Sequence, residues 1–517
     1  VPGSLVGVYF DDRFWKRHDS DPGDPPVGGG SVNGTVTLAT DTFIVSMAIM
    51  AAVFSNRLSA AIRIPTPALF LIVSAVAVAV FPAIRLPLGI AENLVTIALI
   101  FILFDGGMHI GWRAFRASLG GITVLGLAGT LLTAAAVAAV AHFLLGFDLR
   151  LALLLGAALS PTDPAVVFSV LGKREIAGRT GTILEGESGA NDPVGIAIMV
   201  SLLGATGAGA NAVLRGAEEF GLQMVVGAVI GVLGGYGLSK LMRHVALPNE
   251  ALYSARTLAC AALIYGAATV LHGSGFLAVL LSGIIVGDAH APFKREIKRF
   301  SSGIAALAEI TAFSILGLSV SMKEVVRPSV LWPSLALAAL LIFVIRPLFV
   351  GVLLLPIRLR RGERMFVLWA GLKGAVPILL GMFILDAGID GANRVFAMIF
   401  IVVLVSVDLQ GGLVPPFARL FHVPMRVVEP QPWASGLRFR EQPDGLDEFV
   451  VAVGSPADGA TFDSLHLGST GWVSLVRRDG KLLQVRGSTR IAAGDAVLAL
   501  SGESSLAKLF AAPPRQG

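Results

Sequence analysis

The chain has 517 residues, 55% hydrophobic and only 15% charged, with recurrent apolar runs close to the ~20 residues that cross a bilayer. A soluble chain this long would need far more charged surface, so a string of soluble domains is the poorer reading. The net charge of +5 is scattered between apolar runs without interleaved aromatics, which argues against a nucleic-acid partner, and the single cysteine, Cys260, excludes a disulfide framework or a cysteine metal site.

Residues 1–40 hold Pro22, Pro25, Pro26 and Gly28-Gly29-Gly30 without a basic start leading into an apolar stretch. They read as a disordered tail and do not resemble a signal peptide. From 41 to 415, thirteen apolar spans begin near residues 41, 66, 88, 119, 149, 180, 219, 257, 275, 303, 329, 365 and 395. Loops after odd-numbered spans carry eighteen Lys and Arg, against six after even-numbered ones. Basic loops stay cytoplasmic, which puts the N-terminus outside the inner membrane and the C-terminus inside. Spans 1–6 and 8–13 then run in opposite orientations, as inverted repeats do, with span 7 as connector. Pro65-Thr66-Pro67 opens span 2 and Gly273-Ser274-Gly275 opens its counterpart, span 9. Span 5 is broken by Ser160-Pro161-Thr162-Asp163-Pro164, and its counterpart, span 12, by Gly371-Leu372-Lys373-Gly374-Ala375-Val376-Pro377. Two interrupted segments at corresponding positions point to a binding site at the midplane.

Near Pro424 the composition turns soluble. Residues 416–444 read as a linker and 445–517 as a small cytoplasmic α/β domain. Val450–Val453, Trp472–Arg477, Lys481–Arg486 and Asp495–Leu500 suit strands, Asp479-Gly480 is a hairpin turn signal, and short helices are expected over Phe462–Leu465 and Ser504–Phe510. The expected fold class is an all-α polytopic membrane protein of about 13 transmembrane helices, with inverted repeats, two broken crossing helices and this appended domain.

Asp163 lies between two prolines inside an apolar span, where a charged Asp costs roughly 2.5–3.5 kcal/mol on insertion scales. It lines a site, caps a broken helix, or does both. Glu185-Gly186-Glu187-Ser188-Gly189-Ala190-Asn191-Asp192 heads span 6, with Ser188 and Asp192 four apart on one helical face and Glu187 and Asn191 on the adjacent stripe. Such hard oxygen groups suit an alkali cation rather than a transition metal; the alternative is a polar loop just outside the membrane. Arg346 in span 11 either pairs with Glu187, fixing one span against another, or snorkels to an interface. Lys373 either offsets the negative ends of half-helices or snorkels. Phe104-Asp105-Gly106-Gly107 reads as a tight turn rather than a ligand.

Thr162-Asp163-Pro164, Glu187-Ser188-x-x-Asn191-Asp192, Arg346-Pro347 and Gly371-Leu372-Lys373-Gly374-Ala375-Val376-Pro377 together resemble, in order and spacing, the monovalent cation:proton antiporter-1 family. These are bacterial sodium or potassium/proton exchangers related to the animal sodium/proton exchangers. The resemblance implies that Asp192 is the ion-binding, proton-exchanging carboxylate, assisted by Asp163, Ser188, Asn191 and Thr162. It also implies that Glu187 and Arg346 form a structural pair, that Asn191 marks the electroneutral branch, and that the protein is a homodimer. Lys373 departs from the family's usual Arg, exchanging a rigid fork of donors for a flexible point charge. The C-terminal segment resembles a TrkA C-terminal domain through Ser455-Pro456-x-x-Gly459 and Ala493-Gly494-Asp495, which implies regulation by a small molecule. The stretch from Pro424 to Gly445 leaves no room for a Rossmann unit before it.

Protons and a cation that compete for one carboxylate give exchange, because an empty, charged site is costly to carry across the membrane and a loaded one is not. The expected activity is electroneutral K+/H+ antiport without a cofactor, with K+ or Na+ and H+ as the transported species. Sodium/proton antiport is the alternative. A potassium channel would need a carbonyl filter loop that the sequence lacks, and a non-transporting sensor would leave the buried acids unexplained.

Overall fold

The computed structural model describes residues 65–171, 174–176, 178–204, 210–289, 291–427, 446–465, 471–478, 481–483, 485, 487–501, 509 and 510. The tail, the expected first span and the Asp479-Gly480 turn lie outside the described residues, as does most of the helix expected over Ser504–Phe510. The chain forms two compact units, Val1–Val428 and Glu429–Gly517.

Among its described residues the first unit is almost wholly helical. It begins with α1 (Thr66–Val80), α2 (Leu88–Thr123), α3 (Thr130–Phe143), α4 (Leu149–Leu159) and α5 (Ala165–Leu171). Then follow α6 (Arg179–Gly204), α7 (Ala210–His244), α8 (Glu250–Val270), α9 (Gly275–Gly287) and α10 (Lys294–Ser319). It ends with α11 (Pro328–Leu340), α12 (Arg346–Leu353), α13 (Arg361–Trp369), α14 (Ala375–Asp386), α15 (Ala392–Val405) and α16 (Gly411–Leu420). Six helical stretches among the described residues are long and apolar enough to cross a membrane, and α1, α4, α9 and α14 are shorter apolar helices. This is a polytopic membrane protein.

Backbone donors at helix starts need partners. Asp148 supplies one to α4 (Leu151 N–H to Oδ2, 3.1 Å), Asn249 to α8 (Ala251 N–H, 3.0 Å) and Ser274 to α9 (Leu277 N–H, 3.3 Å). Mid-helix hydroxyls return to their own helix, as Thr257 Oγ1 does to the Tyr253 carbonyl at 2.8 Å and Ser334 Oγ to the Val330 carbonyl at 2.6 Å. Thr257 and Ser334 thereby sit among apolar neighbours with their hydroxyl groups satisfied.

Spans 3 and 4 are not separated by a loop. Helical structure runs from Leu88 to Phe143, interrupted by Gly111 at φ +69° and by a π-helical turn over Val124–Gly129. The positive φ at Gly111 suits a residue without Cβ, and Asp288 Oδ2 accepts the Arg113 N–H at 2.7 Å just beyond the kink. Arg113 and Arg116, between the expected spans 3 and 4, therefore lie on a helix. The tight turn expected at Phe104–Gly107 is also helical: Asp105 is buried within α2 and accepts from Ser302 Oγ of α10 at 3.1 Å. Further π-turns lie at Leu341–Ile345 and Ser406–Gln410.

Two short strands, β1 (Arg174–Ile176) and β2 (Met425–Val427), pair antiparallel and tie the segment after α5 to the segment after α16. Residues 416–427, expected in a linker, continue α16 and form β2.

The second unit holds a four-stranded antiparallel sheet in the order β3 (Leu446–Val450), β6 (Ala496–Ser501), β4 (Gly471–Arg478), β5 (Lys481–Leu483). Val451, Ala457, Phe462, Ile491, Val497 and Phe510 form its apolar core. The first strand ends at Val450, where the sequence suggested it began, and Phe462–Leu465 form turns rather than a helix. The polar Asp495 closes this unit from inside: buried, it accepts two hydrogen bonds from Arg478, Nε to Oδ1 at 2.8 Å and Nη2 to Oδ2 at 2.7 Å.

Candidate functional site

Two interruptions of helix meet in the first unit. Pro161 and Pro164 lack backbone donors and bias their predecessors away from the helical region, so α4 stops at Leu159 and α5 begins at Ala165. In the second interruption α13 stops at Trp369 and α14 begins at Ala375. The two breaks bond to each other directly: the Asp163 N–H donates to the Leu372 carbonyl at 2.8 Å. A Cβ built on Gly374 would run into the Asp163 carboxylate, so this approach requires glycine.

Lys373 is buried and its Nζ donates to the carbonyls of Ser160 (3.1 Å) and Pro161 (2.9 Å). Those carbonyls lie just past the C-terminal end of α4, where the helix dipole is negative. The Lys373 ammonium group is thus turned inward, onto the backbone at the end of α4.

The middle of α6 grips the first break. Asn191 accepts from the Thr162 N–H (3.1 Å) and donates to Thr162 Oγ1 (2.6 Å), while Ser188 Oγ donates to the Thr162 carbonyl. Asn191 thus spends both ends of its amide on Thr162. The stretch Glu185–Asp192 is helical and largely buried, not an external loop. Asp192 lies one turn after Ser188, its Oδ1 buried without a hydrogen-bond partner. Its charge is felt by those of Asp163 and Lys373.

Glu187 and Arg346 meet at 2.9 Å with side chains only 4% and 5% exposed. Arg346 also donates from Nε to the Leu368 carbonyl (2.9 Å) and from Nη2 to the Val367 carbonyl (3.0 Å). One guanidinium on α12 therefore clamps α6 to the end of α13, immediately before the second break.

Ser406 and Gln410, on the π-turn after α15, complete this arrangement, and the sequence reading passed over them. The Lys373 N–H donates to Ser406 Oγ (3.0 Å), Ser406 Oγ donates to Gln410 Oε1 (2.5 Å), and Gln410 Nε2 donates to the Trp369 carbonyl (3.0 Å). Trp369 Nε1 returns a bond to the Gln410 carbonyl at 3.2 Å. A Ser and a Gln four residues apart in an apolar run were the available signal. Glu309, in the apolar run of α10, was also missed: its Oε1 is buried and has no hydrogen-bond partner.

One stretch of α6 thus carries Ser188 and Asn191, which hold Thr162 of the first break, and the buried Asp192, whose Oδ1 has no hydrogen-bond partner. Residues 44–420 match the family described as "Sodium/hydrogen exchanger, transmembrane". A protein of Alkalimonas amylolytica named K(+)/H(+) antiporter NhaP is 37% identical over 335 residues, 63% of this chain and 56% of its own length. K(+)/H(+) antiporter NhaP2 of Shewanella oneidensis is 33% identical over 427 residues, 80% of this chain and 72% of its own. Among solved structures, the sodium proton antiporter MjNhaP1 from Methanocaldococcus jannaschii at pH 8 shares the fold, with a TM-score of 0.63 at 22% identity, covering 72% of this chain and 99% of that one.

The family match and these relatives mark a membrane transporter rather than an enzyme. The chain belongs to the sodium/hydrogen exchanger family of monovalent cation/proton antiporters.

Proposed function

We propose that the protein exchanges one K+ for one H+ at Asp192, without net charge movement. The observation that carries this reading is the orphaned, buried Oδ1 of Asp192, on the same stretch of α6 as Ser188 and Asn191, the two side chains that hold Thr162 of the first break. A single unpaired carboxylate oxygen in a poorly solvated nest is occupied by a proton or by a cation, and each displaces the other. Asp163 contributes a second negative charge and Lys373 offsets it, so one added positive charge neutralises the carboxylates of the nest. Glu187 and Arg346 hold its walls.

Potassium is preferred because two relatives are named K(+)/H(+) antiporters and because the C-terminal segment resembles a TrkA C-terminal domain. Sodium is the second reading, favoured by the description of the family. Thirteen spans with inverted repeats, an outside N-terminus, a small-molecule-regulated cytoplasmic domain at 445–517 and a homodimer in the inner membrane complete the proposal. The test is reconstitution into vesicles containing a pH dye, with K+ or Na+ added outside. Proton movement that half-saturates at lower K+ than Na+ supports the potassium reading; a response to Na+ alone replaces it with the sodium one. A rate that changes when membrane potential is imposed contradicts one-for-one exchange.

A further inference from the structure

Two membrane-crossing stretches, Pro328–Leu353 and Ala392–Leu420, end at one corner of the first unit. Soon after the first of them comes Arg358-Leu359-Arg360-Arg361-Gly362-Glu363-Arg364, with four arginines and one acid. This run leads into α13, which packs beside α16. Trp369 stacks on Phe417 with ring centroids 4.1 Å apart, and a Cβ built on Gly362 would run into the Phe421 carbonyl, one residue past the second stretch. The ends of crossing stretches lie where hydrocarbon gives way to headgroups, so the arginines stand at that boundary.

Local bonds engage one of these arginines and leave the others free. Arg364 Nη2 donates to the carbonyls of Leu355 (3.0 Å) and Ile357 (3.1 Å), stapling the chain after α12 to the first turn of α13. Glu363, the one acid of the run, accepts the Arg360 backbone N–H at 2.7 Å instead of a guanidinium. Arg358, Arg360 and Arg361 are exposed, as is Arg419 in the last turn of α16, and among the described residues none of the four forms an ion pair. Exposed apolar surface adjoins them. Leu348, Val352 and Leu355, at helical spacing along α12 and just past its end, and Met365, one turn after Arg361, are all more than half exposed. Leu348 and Val352 belong to a crossing stretch, so that stripe meets hydrocarbon. Guanidinium groups match phosphate with paired donors, and long basic side chains at a helix end reach for the headgroup layer. A partner that satisfies both surfaces carries an anionic headgroup on acyl chains. A soluble phosphate or a nucleic acid matches the arginines and makes no use of the stripe.

We propose that this corner, between the end of α12, the start of α13 and the end of α16, is a headgroup site for an anionic phospholipid. Arg358, Arg360 and Arg361 hold the phosphate, Arg419 adds to the positive field, and the acyl chains lie along Leu348, Val352 and Leu355. The bound lipid bridges the ends of the two crossing stretches and steadies α13, the helix that runs into the second break. The site does not depend on which cation the protein exchanges.

The test titrates the purified full chain, in a neutral detergent, with short-chain phosphatidylglycerol and follows the unfolding temperature, which rises when a ligand binds the folded state alone. Wild type should be stabilised by phosphatidylglycerol and little affected by phosphatidylcholine of the same chain length. The triple variant Arg358→Gln, Arg360→Gln, Arg361→Gln should need at least about tenfold more phosphatidylglycerol for the same rise, since each basic group at an anionic headgroup contributes roughly a fivefold factor. A second triple variant, Lys240→Gln, Arg243→Gln, Arg295→Gln, removes as many charges at the end of α7 and the start of α10 and should titrate as wild type does. No rise in wild type, an equal rise with phosphatidylcholine, or equal weakening in both triple variants overturns the proposal. An equal rise with inorganic phosphate also overturns it, because the site then holds an ion without a lipid. If the first triple variant does not purify, Arg361→Gln alone decides: a weakening of about fivefold supports the site, and an unchanged titration overturns it.

Discussion

Replacing Arg346 by Leu removes the clamp between α6 and α13 at a stroke. Glu187 already has one buried oxygen, Oε2, without a partner, and the substitution takes the 2.9 Å partner from the other. Breaking a buried pair by deleting one member costs about 3–5 kcal/mol, because the survivor is left charged and undersolvated. The carbonyls of Val367 and Leu368 lose their donors as well, so the loss should fall at the upper end of that range. Substituting both residues, Glu187→Gln with Arg346→Gln, strands no charge and should cost less than the two single changes added together, with a coupling of roughly 1–3 kcal/mol. Thermal unfolding of the purified full chain, followed by size-exclusion chromatography, reads the stability. Dye-loaded vesicles read transport. Wild-type unfolding and transport in Arg346→Leu, or strict additivity in the double variant, would refute the clamp.

Three further outcomes follow from the same geometry. Lys373→Met removes two bonds from an ammonium group, each worth about 1.5–3 kcal/mol, and leaves the Ser160 and Pro161 carbonyls uncovered; vesicle transport should be lost, and retained transport would show that the end of α4 needs no cation. Gln410→Leu cuts the links to Ser406 and the Trp369 carbonyl, so transport should slow with little change in expression, and an unchanged rate would reduce Gln410 to a local packing group. In the second unit the Arg478 guanidinium holds the Asp495 carboxyl below its usual range. A carboxyl lowered in the folded state stabilises above the ordinary Asp value of about 3.9 and loses that contribution as pH falls through its folded value. Protection factors over β3–β6, taken relative to intrinsic exchange at each pH, should therefore be high at neutral pH and fall below about pH 4, whereas Asp495→Asn should lower them at neutral pH and leave them less dependent on acid.

The breaks were legible because proline and glycine act locally: Ser160–Pro164 and Gly371–Gly374 leave the helix for reasons contained in those few residues. Glu187 with Arg346 was legible because a buried charge demands a partner and few were on offer. What escaped was set by tertiary contact. Ser406 and Gln410 look unremarkable until a break carrying unsatisfied backbone is placed beside them, and Glu309 reads as one acid in a helix whose first turns are full of charge. Asp105 looked like a turn because Gly106 and Gly107 follow it. The chain instead uses Gly107 for a close crossing, where a Cβ would lie 2.5 Å from the Leu280 carbonyl of α9. Strand β1 has three residues and finds its partner some 250 positions later, beyond the reach of a local pattern.

The account stands or falls on Asp192. Asp192→Asn keeps the shape of the side chain and removes its charge, so the reconstituted variant should fold, elute as wild type and move no protons when K+ or Na+ is added. Exchange persisting in that variant at a rate comparable to wild type would contradict the central claim.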